Sequence, residues 1–81
     1  MRVRIYVSLK NGVLDPQGKA IEHSLHTLGY AETRNVRIGK YLELEIDATA
    51  RSAAEAQVRD MCDKLLANPV IEDYRFEILE N

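Results

Sequence analysis

From Val36 to Asp47 the chain reads Val-Arg-Ile-Gly-Lys-Tyr-Leu-Glu-Leu-Glu-Ile-Asp, with an apolar residue at every second position from Val36 to Ile46, broken only by Lys40 beside a glycine. Side chains alternate faces along a strand, so a period of two marks sheet structure with one buried face. Gly39-Lys40 at the centre leaves two readings, one bent strand or a hairpin. A two-residue turn there would pair Val36 with Glu43, setting an apolar side chain beside an acid. A three-residue loop at Gly39-Lys40-Tyr41 pairs Ile38 with Leu42 and Val36 with Leu44, which keeps one face apolar. The three-residue hairpin is therefore expected, with Glu43, Glu45 and Asp47 forming an acidic outer face.

The rest of the chain supplies the partners for that sheet. Val3, Ile5, Val7 and Leu9 alternate with Arg2, Arg4, Tyr6 and Ser8, which predicts a half-buried strand over 2–9. Asn11-Gly12 marks a turn. Asp15-Pro16 predicts a helix start, because the carboxylate can accept free N–H groups and proline suits the first helical position. Ile21, Leu25 and Leu28 then share a face, and Gly29 suits the left-handed residue that ends a helix. A second helix is expected from a capping box at Ser52-Ala53-Ala54-Glu55, or slightly earlier from Thr49 or Ala50. Its apolar stripe is Val58, Met61, Cys62 and Leu65. Asn68-Pro69 ends it, since proline disfavours helical geometry in the residue before it. Ile71 to Leu79 closes as a strand with Tyr74, Phe76 and Ile78 on one face. The order β-α-β-β-α-β predicts an α+β, ferredoxin-like fold with two helices packed on one face of an antiparallel sheet.

Size and charge narrow the function. With 81 residues the chain has room for one domain, expected over 1–81. A net charge of −2, from 11 basic and 13 acidic residues, argues against a polyanion partner. No apolar run approaches the ~20 residues of a membrane span, and no signal pattern opens the chain. The single Cys62 cannot form an internal disulfide, which fits a reducing cytoplasm.

No catalytic constellation assembles from the sequence. His23 and His26, with Glu22, lack a second ligand cluster and lie off the Ile21-Leu25-Leu28 stripe, so a solvated face is the expected role. Cys62 lies on an apolar stripe and reads as a buried small hydrophobe. Asp15-Pro16-Gln17-Gly18-Lys19 lacks the spacing of a phosphate loop and reads as helix capping. Gly18 in the first turn costs up to ~1 kcal/mol relative to alanine, which suggests close contact with another backbone or a partner. Tyr6 and Tyr41 invite comparison with RNA-binding sheets, but Glu43 and Glu45 would repel phosphates there.

Five blocks in order resemble the PurS family. They are Val7-Ser8-Leu9-Lys10, Val13-Leu14-Asp15-Pro16-Gln17-Gly18-Lys19-Ala20, Leu28-Gly29-Tyr30, Val36-Arg37-Ile38-Gly39-Lys40-Tyr41 and Asn68-Pro69-Val70-Ile71-Glu72-Asp73-Tyr74. Residues 47–60 are the least family-like. The resemblance implies the non-catalytic small subunit of phosphoribosylformylglycinamidine synthase, a glutamine-dependent, ATP-consuming C–N ligase of purine biosynthesis. It implies a large synthetase subunit (PurL-type), which uses ATP and Mg, and a glutaminase subunit (PurQ-type) as partners. It also implies a homo-oligomer, a dimer or dimer of dimers, joined through the sheet or an exchanged strand. No cofactor, metal, nucleic acid or membrane is expected on the chain itself. The expected partner-interface residues are Arg37, Lys40, Tyr41, Tyr6 and Gly18. Two other classes compete: a small-molecule-binding regulatory module of similar topology, and a free-standing enzyme.

Overall fold

The computed structural model describes residues 1–79, so the last two positions of the expected 1–81 domain lie outside the described residues. Strand β1 spans Arg2–Leu9, helix α1 Pro16–Thr27, strand β2 Gly39–Glu45, helix α2 Arg51–Met61 and strand β3 Glu72–Leu79. The three strands form one antiparallel sheet in the order β2-β1-β3. β1 is central because its alternation is uninterrupted. It sets Ile5 opposite Leu42 on one side and Phe76 on the other, and Tyr6 opposite Tyr41 and Arg75.

The inner face of the sheet carries the core. Val3, Ile5 and Val7 of β1 are buried together with Ala54, Val58 and Cys62 of α2, and with Ile46, Ala67 and Ile78. At about 25 cal/mol per Å² of apolar area, each such side chain contributes roughly 1.5–3 kcal/mol. Helix α2 alone supplies the cover. Its first turn begins at Arg51 with Ala50 as a cap that makes no side-chain hydrogen bond, so the box expected at Ser52 is not used.

The end of α2 departs from simple helical spacing. Residues Cys62–Leu66 form a π-helical turn, closed by the Ala67 N–H donating to the Cys62 carbonyl at 3.0 Å. The wider turn rotates the stripe: Cys62 is buried, Leu66 is half-buried, and Leu65, expected inward, stands 81% exposed.

The α+β class with an antiparallel sheet and two helices holds, but two local expectations do not. The hairpin at Gly39-Lys40-Tyr41 is not made. Those residues pair with Ser8, Val7 and Tyr6 as the start of β2, and residues 36–38 have no strand partner among the described residues. Instead the Val36 N–H donates to Glu22 Oε1 at 3.2 Å and the Ile38 N–H to Asp15 Oδ2 at 2.9 Å, which ties the segment to α1. Helix α1 does not cover the sheet either. Gly18 is its only buried residue, and the Ile21-Leu25-Leu28 stripe faces away from the core. Helix and returning segment together make an arm, and the molecule measures 50 × 28 × 14 Å.

Candidate partner-binding surfaces

The arm is held at its base by one carboxylate. Asp15, 6% exposed, caps α1 by accepting the Gly18 N–H at 2.8 Å and reaches across to the Ile38 N–H, with the Arg37 guanidinium 3.7 Å away. The N–H groups of Ile38 and then Gly18, helped by Arg37, hold its pKa below the ordinary 3.8 against the opposing effect of burial. Arg37 also donates to the carbonyls of Leu9 and Lys10, at 3.4 and 3.2 Å, which bolts the arm to the end of β1. Gly18 lets the two limbs of the arm touch: a Cβ there would lie 2.3 Å from the Val36 carbonyl oxygen. The close backbone that the sequence suggested for Gly18 is therefore within its own chain.

Lys40 explains its odd place in the alternation. It sits at the margin of the inner face, where its long stem carries the ammonium to the Leu66 carbonyl at 3.3 Å and to Glu72 at 3.8 Å. That donor meets a free carbonyl at the end of α2, where a cation is favoured. A cleft of about 410 Å³ beside it is lined in part by Leu9, Asp15, Pro16, Ile38, Lys40 and Glu72. Its ionisable groups are already paired within the chain, as just described, which leaves none aimed at a ligand.

The outer face of the sheet is the second candidate surface. Tyr6 and Tyr41 lie side by side with ring centroids 5.2 Å apart, and the Arg75 guanidinium covers Tyr6 at 3.9 Å. Tyr41 donates to Glu43 at 2.7 Å, a bond that keeps the phenol protonated and raises its pKa above 10.0. Arg4 stands in register between Glu43 and Glu77, and its Nε is buried without a hydrogen-bond partner. Arg75 was not expected here. Its position one residue from Tyr74, on the opposite phase of β3, was the available signal. The five expected residues thus separate: Tyr6 and Tyr41 share the open face, while Arg37, Lys40 and Gly18 hold the arm and the end of the sheet.

Chemistry of the catalytic kind is not assembled here. Among the described residues no three His, Cys, Asp or Glu side chains gather as metal ligands. His26 Nε2 contacts the Thr33 carbonyl within the arm. Cys62 is fully buried, and burial, with Asp63 nearby, pushes its thiol pKa up, the reverse of what a nucleophile needs. No helix is long and apolar enough to cross a membrane among the described residues.

What remains is a molecule that presents surfaces. Residues 2–80 match the family described as PurS, phosphoribosylformylglycinamidine (FGAM) synthase. The chain belongs to the PurS family. It is 56% identical over 79 residues to the PurS subunit of phosphoribosylformylglycinamidine synthase from Bacillus subtilis, covering 98% of this chain and 93% of that protein. The corresponding Synechocystis subunit is 53% identical over 75 residues, covering 93% and 75%. A crystal structure of B. subtilis PurS superposes with a TM-score of 0.88 over 98% of each chain. A chain of the PurLQS structure from Thermotoga maritima is similar at a TM-score of 0.87 and 33% identity, covering 96% of this chain and 95% of that one.

Proposed function

We propose that this chain is the non-catalytic small subunit of phosphoribosylformylglycinamidine synthase in purine biosynthesis, acting in the cytoplasm as a single PurS-like domain over 1–81. It bridges an ATP- and Mg-using synthetase subunit and a glutaminase subunit and supports transfer of glutamine-derived ammonia between them. It therefore belongs to a ligase only as part of the complex, and it forms a homo-oligomer. The observation that carries this reading is the family match over residues 2–80, joined to the likeness with a chain of the T. maritima PurLQS structure. The paired ionisable groups and the buried thiol fit a subunit without its own active site.

Within this reading Tyr6 and Tyr41, with Arg75, present the sheet face to a partner subunit. An aromatic and arginine surface of this kind suits a protein interface. Arg37 and Lys40 border it, and Gly18 keeps the adjoining arm closed.

Reconstitution tests the proposal. The purified chain is mixed with its synthetase and glutaminase subunits, and glutamine-dependent amidination is compared with ammonia-dependent amidination. The expected result is that omitting the chain abolishes the glutamine-dependent rate and the sized complex but spares the ammonia-dependent rate. Unchanged glutamine use without the chain refutes the bridging role. Tyr6→Ser with Tyr41→Ser is expected to weaken assembly, and normal assembly by that variant removes the sheet face from the interface.

A further inference from the structure

We infer that the α1 arm is the seat of a second copy of this chain, bound reciprocally, arm against arm. The inference rests only on the homo-oligomer part of the preceding reading and locates it on named residues.

The chain by itself has too much surface. It exposes 5999 Å², whereas a compact monomer of 9.2 kDa would expose roughly 4,900 Å². Its radius of gyration is 16.2 Å, against about 12 Å for a compact domain of this length. The excess of about 1,100 Å² is larger than the ~800 Å² that each partner buries in an interface of standard size. One contact of ordinary extent on the arm would restore normal proportions.

The arm carries the apolar groups for such a contact. Leu14 at its base is 72% exposed, Ile21 midway 39%, and Leu28 and Tyr30 at its tip 73% and 61%. Ile21 is seven residues from both Leu14 and Leu28. A two-fold axis through Ile21 therefore sets the base of one arm on the tip of the other, so that each residue meets the partner of its partner, as an isologous interface requires. The charges along α1 are few and mixed, so two such helices meet without like-charge opposition. A second copy also brings an equal surface excess, which the same contact removes. A partner that is already compact offers no such matching deficit.

The test is the mass of the purified chain by light scattering across a range of concentrations. The parent is expected at twice the chain mass. Ile21→Glu with Leu28→Glu is expected at half the parent's mass with unchanged far-UV circular dichroism, because neither side chain contributes to the core. Leu65→Glu with Val70→Glu, at the other large exposed apolar positions, is expected to keep the parent's mass. A second measurement reads the register without relying on a disruptive change. In a Cys62→Ser background, Leu14→Cys and Leu28→Cys chains mixed under mild oxidation are expected to join as a mixed dimer. A monomeric parent, an unchanged mass in the arm variant, dissociation by the Leu65/Val70 variant alone, or no mixed cross-link would each overturn the inference. A chain that dimerises through the arm yet fails to support glutamine-dependent synthesis refutes the proposed bridging role and leaves this inference standing.

Discussion

Gly18→Ala separates two physical expectations of opposite sign. Gly18 lies in the first turn of α1, where helix propensity alone predicts that alanine stabilises by about 0.5–1 kcal/mol. The structure predicts the reverse. A Cβ at this position would lie 2.3 Å from the Val36 carbonyl oxygen and 3.0 Å from the Asp15 carboxylate, well inside contact distance. Val36 is backbone, and its N–H is tied to Glu22, so it cannot yield by a rotamer change. Relief requires the two limbs of the arm to part, which loosens the Ile38 N–H bond to Asp15 as well. Overpacking of this kind costs typically 1–3 kcal/mol, which outweighs the propensity gain. In a domain this small, 1 kcal/mol moves Tm by roughly 4–8 °C. Thermal unfolding followed by circular dichroism is expected to show Tm lowered by about 5–15 °C. A Tm equal to or above that of the parent would show that the limbs of the arm are not in contact and would refute the reasoning.

Two further predictions follow from the hinge and the π turn. Because Asp15 has a lowered pKa in the folded chain, the unfolded chain binds its proton more readily; the carboxylate's stabilisation is therefore complete above the ordinary 3.8 and is lost as pH falls below it. Stability measured from pH 6 to pH 3 should fall less steeply in Asp15→Asn than in the parent, and parallel curves would show that the carboxylate does not hold the hinge. Leu65→Ala, at an 81% exposed position, should change stability by no more than about 0.5 kcal/mol, whereas Leu66→Ala, packed against the core, should cost more than that. Urea titration of both variants checks the order, and a larger loss at Leu65 would mean an ordinary α-helical end.

Much of the fold was legible because most of its determinants are local. The alternation in 2–9 marked β1, Asp15-Pro16 capped α1, and Tyr74-Phe76-Ile78 marked the inner face of β3. The alternation from Val36 also assigned Leu42 and Leu44 to the inner face correctly. It overran at its start because periodicity records which side chains could share a face, not where the backbone finds its hydrogen bonds. Val36 and Ile38 found them on Glu22 and Asp15, fourteen and twenty-three residues away. The stripe of α1 was likewise a true apolar face, but a stripe does not say which surface it covers. In the second helix the one extra residue in the π turn defeated the three-four spacing at Leu65. Among the candidate surface residues, Tyr6 and Tyr41 followed from strand phase. Lys40 and Arg37 did not, since their partners are carbonyl groups at the ends of other elements, and backbone acceptors leave no mark in a side-chain pattern.

The two free edges of the sheet bear on whether copies can join without limit. A β2 edge pairing with the β3 edge of another copy would be head-to-tail, and contacts of that type grow into filaments when they do not close. β2 carries Glu43 and Glu45, and β3 carries Glu72, Asp73 and Glu77 against the single Arg75. Edge growth would therefore bring acid against acid along the seam, and charged edges are a common protection against such pairing. That repulsion acts between exposed groups and is screened beyond ~8 Å at physiological ionic strength. The acids leave the sheet open to a partner of complementary charge while discouraging fibrous growth, and high salt or a pH near 4 would weaken that protection first.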